Sequence, residues 1–131
     1  MEVEQVKKSF DFDVVETDYF KELPQRAQGL YFHLMMNTDD QGFVRNAKEI
    51  AKNFCGNKLT DLQTLIDSGF VICLTDKTYG TVYLIRHYWV NVNYDKSKQK
   101  GTQYKDAFRK VEQDEDTGEY IERQEYSASA A

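Results

Sequence analysis

Apolar residues at helical spacing, Leu59, Leu62, Leu65 and Ile66, stop at Gly69 and pass directly into a β-like run from Phe70 to Thr75. A second strand-like run, Thr81 to His87, follows the turn-prone Asp76-Lys77-Thr78-Tyr79-Gly80. Helix, strand, short turn and strand predict the back half of a winged helix, an architecture that mostly serves to meet nucleic acid.

Upstream, Asn46 stands where a helix cap is needed, with Glu49 three residues on. Ala47, Ile50, Ala51 and Phe54 then give the i, i+3, i+4, i+7 face that ends at Gly56. Two short amphipathic helices joined at Cys55-Gly56-Asn57 predict a helix-turn-helix, with the second helix running roughly from Lys58 to Ser68. Before them, Pro24 opens a helix to about Asn37 with Ala27, Leu30, Tyr31, Leu34 and Met35 on one stripe. The cluster Tyr31, Phe32, Met35, Met36 reads as core packing rather than a ligand pocket. Thr17 caps a short turn of helix before Pro24, and Phe43-Val44-Arg45 is a very short strand. Phe10, Phe12 and Val14 alternate with Asp11, Asp13 and Val15, the period of an edge strand. The expected fold is α+β: a winged helix-turn-helix with a three-helix core and a small antiparallel β-wing, an extra N-terminal strand and a charged C-terminal tail.

The run His87 to Tyr94 keeps alternating, and either prolongs the last strand or returns over the domain. Beyond it, residues 95–102 lack an apolar period, Tyr104 to Val111 suits a short helix, and Val111 to Ile121 a marginal hairpin. This divides the chain into an extension (1–16), a winged-helix domain (17–94) and a basic then acidic tail (95–131), disordered at its end.

The net charge of −5 counts against nucleic acid until it is located. Residues 17–94 are neutral, 95–110 carry +4, and 111–131 carry −6. No apolar run reaches the roughly 18 residues of a membrane span, and the first residues are acidic where a secretory signal is basic, so the expectation is a cytoplasmic protein with no membrane partner. Cys55 and Cys73 match neither a disulfide framework nor a zinc clip and read as reduced core thiols.

No nucleophile with a base partner, phosphate-cradling Gly loop or metal constellation can be assembled, so neither an enzyme nor a cofactor is expected. His33 and His87 read as packed or surface residues. Asn37-Thr38-Asp39-Asp40-Gln41-Gly42 has the opening spacing of a calcium loop, but its twelfth position is Lys48, a cation where a bidentate Glu is required.

Double-stranded DNA remains as the partner, with single strands a secondary possibility. Base contact needs side chains that hydrogen-bond on the outward face of the second helix: Lys58, Thr60, Gln63 and Thr64, with Gln63 suited to adenine. Asp61 and Asp67 on the same expected face are a liability near phosphate. Phosphate contacts fall to Arg45, Asn46, Lys48, Lys52, Lys77 and the trailing Lys96, Lys98, Lys100 and Lys105. Trp89, Tyr94 and Tyr104 interleave with that strip and could stack on unpaired bases, although packing on the domain is the stronger reading for Trp89.

Four segments together carry a family resemblance: Phe20-Lys21-Glu22-Leu23-Pro24; Ala27-Gln28-Gly29-Leu30-Tyr31-Phe32-His33-Leu34; Asp39-Asp40-Gln41-Gly42-Phe43-Val44; and Leu65-Ile66-Asp67-Ser68-Gly69-Phe70-Val71-Ile72. Over about residues 17–94 the chain resembles the N-terminal winged-helix domain of phage replisome organisers, the DnaD-like replication initiators. Ile85-Arg86-His87-Tyr88-Trp89 is similar to the segment after the wing, with Tyr88 inserted into the expected His-Trp pair. The resemblance implies origin binding, self-association and recruitment of host replication proteins. The alternatives are a protein-interaction and oligomerisation module on the same scaffold, or a small transcriptional regulator.

Overall fold

The computed structural model describes residues 8–92 and 101–123. They form an α+β unit of seven short helices, a three-stranded antiparallel sheet and a two-stranded one. Among them, no helix is long and apolar enough to cross a membrane.

Helix α3 (Gln25–Met36) is the scaffold. Ala27, Leu30, Tyr31, Leu34 and Met35 are fully buried, as their spacing requires. Two shorter helices lie against it, α4 (Ala47–Phe54) and α5 (Thr60–Asp67). Gly29 is what lets α4 close: an added Cβ there would sit 2.7 Å from the Phe54 ring. The sheet has β1 (Phe43–Val44) and β2 (Val71–Asp76) flanking β3 (Gly80–Ile85), with Phe43 opposite Leu84 and Ile72 opposite the same residue on the other side. Along β2, Ile72 and Leu74 are buried while Cys73 and Thr75 are exposed, so Cys73 is a surface thiol and not the core residue expected; Cys55 is buried.

The expected N-terminal strand is absent. Residues 12–15 form one helical turn, α1 (Phe12–Val15), whose cap Asp11 accepts the Asp13 N–H at 2.8 Å. The apolar alternation is equally an i, i+4 pattern. Phe10 packs on Phe32, with ring centroids 4.7 Å apart, and Val14 is buried, while Phe12 between them is 73% exposed. Thr17 caps α2 (Asp18–Lys21) as expected.

After β3 the chain does not stay extended: α6 (Tyr88–Asn91) turns the peptide back across the core. Gly42 makes room for it. Its φ of +97° is one that L side chains rarely adopt, and a Cβ there would meet Cβ and Cγ of the fully buried Tyr88 at 2.7 Å. Asn91 ties three segments together, donating to the Tyr31 hydroxyl at 2.7 Å and accepting the Asp11 N–H at 2.9 Å.

Packing does not stop at residue 94. Helix α7 (Lys105–Phe108) lies on β2, and β4 (Val111–Gln113) pairs with β5 (Tyr120–Glu122) as the hairpin that the sequence predicts. Thr102, Tyr104, Ala107, Val111 and Tyr120 are buried in the common core. Much of the segment read as a charged tail is therefore folded, anchored by isolated aromatics in polar surroundings.

Candidate nucleic-acid interface

Helix α5 is placed by what it buries. Leu62 and Leu65 enter the core, and Ile66 packs at its margin. Asp61 is on this inner side as well, 8% exposed, beside Cys55 and with its Oδ2 3.6 Å from Arg26 Nε on α3. The expectation that Asp61 faces outward is thus overturned: one residue before Leu62, it lies on the flank that α3 covers. Burial pushes the neighbouring Cys55 thiol up to about 11, with the Asp61 carboxylate adding to the rise.

Lys58, Thr60, Gln63 and Asp67 are exposed and Thr64 is half-buried. Two of these are engaged within the helix. Thr64 Oγ1 donates to the Thr60 carbonyl at 3.0 Å, and Gln63 Nε2 donates to Asp67 Oδ1 at 2.8 Å. A primary amide has two N–H donors and a carbonyl acceptor, so Gln63 still offers one donor and one acceptor. Asp67 fixes the direction in which they point.

On α4, Arg45 and Asn46 precede the first turn, and Lys48 and Lys52 follow on its exposed side. The expected capping box does not form. Asn46 is left-handed, with φ 57°, and its side chain makes no cap bond. Between the start of α4 and the sheet lies an open groove of about 430 Å³, bordered by Asn46, Lys48, Glu49, Tyr79 and Thr81.

The tip of the β2–β3 hairpin carries Lys77 outward, and its backbone is held by two carboxylates. Asp76, 2% exposed, accepts the N–H groups of Thr78 (2.9 Å), Tyr79 (3.1 Å) and Ala107 (3.0 Å). Burial alone would raise its pKa, but those three donors outweigh it and hold the carboxyl below the ordinary range. Asp106 on α7 accepts the Lys77 N–H at 2.7 Å and is neutralised by Arg109 at 3.0 Å and Lys110 at 3.6 Å. The turn residues alone gave no sign of this clamp, because its second half comes from 29 positions downstream.

Lys96, Lys98, Lys100 and Tyr94 lie outside the described residues; Lys105 is exposed. Tyr104 cannot stack on a base as placed, since it is buried between Phe43 and Tyr79. Trp89 packs on the domain and donates from Nε1 to the Tyr120 hydroxyl at 2.8 Å. His87 Nε2 stands 3.2 Å from Glu119, and its Nδ1 is buried without a partner; burial lowers its pKa, with Glu119 opposing. No group of three or more His, Cys, Asp or Glu among the described residues could hold a metal ion.

No protein-family model, curated protein or solved structure matches this chain.

Proposed function

We propose that this chain is a non-enzymatic, cytoplasmic DNA-binding protein built as a winged helix-turn-helix. In this reading α3, α4 and α5 are the three-helix core, α4 and α5 the helix-turn-helix, and β2–β3 the wing. Helix α5 enters the major groove, where Gln63, oriented by Asp67, reads a base edge. Lys58, Thr60 and Thr64 flank it, and Arg45, Asn46, Lys48, Lys52 and Lys77 grip phosphates. The sheet order β1-β3-β2 and the succession of elements are those such a scaffold needs.

One observation carries the reading. Among the described residues, Arg45, Lys48, Lys52, Lys58 and Lys77 are all exposed with no carboxylate at ion-pair distance, whereas Lys21, Arg26, Arg109 and Lys110 elsewhere each have one. The neutral charge balance of residues 17–94 thus conceals an uneven distribution. Five of the seven exposed, uncommitted cations among the described residues fall on α4, on the turn into α5 and on the hairpin tip, and the other two, Lys105 and Arg123, lie on α7 and beside β5. Together with the resemblance to phage replisome organisers, this supports a role in initiating replication, with self-association and host replication proteins as further partners.

Fluorescence anisotropy with labelled duplex DNA across a salt series tests the proposal. Four phosphates neutralised by Arg45, Lys48, Lys52 and Lys77 predict a slope of log affinity on log salt of about −3 to −4. Affinity absent at low salt, or indifferent to salt, refutes it. A second reading, a docking or oligomerisation module, draws on the exposure of Phe12 (73%), Tyr19 (80%) and Met36 (60%). Light scattering decides between them: a monomer that binds duplex rejects the second.

A further inference from the structure

A second cavity, also of about 430 Å³, opens between α6, the end of α7 and the β4–β5 hairpin. Such a volume lies within the range of small-ligand sites, about 300 to 1,000 Å³. Its walls are aromatic: Trp89, Phe108 and Tyr120, with Phe108 and Tyr120 edge to face. The Trp89 ring is fixed by a relay, Nε1–H to the Tyr120 hydroxyl at 2.8 Å and that hydroxyl to the Gln41 carbonyl at 2.6 Å.

Gln41 lines the same cavity and is 5% exposed. Its backbone is satisfied at both ends, N–H to Asp39 and carbonyl to Tyr120, but its side-chain carboxamide makes no hydrogen bond among the described residues. The amide is thus uncommitted within the described residues and stays open to water or a ligand. It is not sealed off, because the fully enclosed orphan polar atom among the described residues is His87 Nδ1. Arg109 and Arg123 stand at the rim with Glu112, and Arg123 donates through Nε to the Val111 carbonyl at 3.2 Å.

A planar ligand with adjacent donor and acceptor atoms, attached to an anion, matches these features together. We infer that this cavity holds an unpaired base of single-stranded nucleic acid, hydrogen-bonded at its edge by the Gln41 carboxamide, flanked by Trp89 and Phe108, and followed by a phosphate at Arg123. Stacking supplies most of the affinity and Gln41 the alignment. The inference extends the nucleic-acid reading to a surface separate from α5, and it rests on that reading only in the class of ligand.

Trp89 is the only tryptophan, so its fluorescence reports on this cavity directly. The full chain titrated with an oligothymidylate of about eight nucleotides should show saturable quenching. In Gln41→Leu the affinity should fall about tenfold or more with the circular dichroism spectrum unchanged. Arg123→Glu, on the exposed rim, should weaken the oligonucleotide and leave free thymidine unaffected, which keeps the test decisive if Gln41→Leu fails to fold. Absence of quenching, or quenching indifferent to Gln41→Leu in a folded protein, overturns the inference. Thymidine bound as tightly as the oligonucleotide overturns the strand as occupant. Lys58→Glu separates the two surfaces: it should abolish anisotropy with labelled duplex while quenching by oligothymidylate persists. In the unaltered protein, quenching without any duplex binding refutes the α5 reading alone, and duplex binding without any quenching refutes this one alone.

Discussion

Replacing Asp76 by Ala should uncouple the hairpin tip from α7. The carboxylate accepts three backbone N–H groups, at 2.9, 3.1 and 3.0 Å. Thr78 and Tyr79 are exposed, so water can reach their N–H groups once the carboxylate is gone; Ala107 is fully buried and its N–H has no such substitute. One buried orphan donor costs about 1–3 kcal/mol, and two rehydrated bonds at the exposed tip add about 1 kcal/mol together, giving about 2–4 kcal/mol in all. That is a large share of the roughly 5–15 kcal/mol that stabilises a typical domain. Urea unfolding followed by Trp89 fluorescence measures it. With an m-value of about 1–3 kcal/mol per molar, the midpoint should fall by about 1–2 M. A shift below about 0.3 M would mean that the tip and α7 do not depend on this carboxylate. The pH dependence follows with a definite sign. A carboxyl whose folded pKa lies below its unfolded value, near 3.9, contributes stability above that pH and loses it as the pH falls further. Asp76→Asn should therefore flatten part of the loss below about pH 4. Asp106 and Asp114 are also held low by backbone donors, so the remainder of the acid limb should persist.

Three other outcomes are expected. Gly42→Ala combines a left-handed backbone with a 2.7 Å clash against Tyr88 and should cost at least about 2 kcal/mol by thermal or chemical unfolding; a neutral effect would contradict the placement of α6. A thiol reagent should modify Cys73 alone in the native protein and Cys55 only after unfolding, counted by mass spectrometry; two fast-reacting thiols would contradict the burial of Cys55. In duplex anisotropy, Gln63→Ala should cost about 1–3 kcal/mol on the preferred sequence with an unchanged salt slope, while Lys52→Ala should weaken all sequences alike and reduce the slope by about one; the opposite pattern would exchange their assigned roles.

Periodicity and punctuation made the centre of the fold legible. The stripes of α3 and α5, the stops at Gly56 and Gly69, and the two runs around Asp76–Gly80 place helices and hairpin within a residue or two of where they lie. Short segments were less readable. Five residues of alternation at Phe10–Val14 satisfy a single helical turn as well as a strand, and only the partners Phe32 and Tyr31 decide. Tyr104 and Tyr120 give no periodic signal, because one aromatic per turn or hairpin suffices to anchor each. At the candidate interface, the exposure of Lys58, Thr60 and Gln63 followed from helical spacing. The inward position of Asp61 did not, since it depends on Arg26 approaching from α3. Nor could spacing reveal that Asp67 orients Gln63, although the i, i+4 relation allowed it.

The central claim is that α5 is the surface that meets duplex DNA. Backbone amide shifts in a ¹⁵N-labelled sample titrated with duplex measure this most directly. The account predicts the largest changes from Lys58 to Asp67, with smaller ones at Arg45–Lys52 and Lys77 and little along α3. Changes confined to α1 and the Phe32–Met36 side of α3, or no change at low salt, would contradict it.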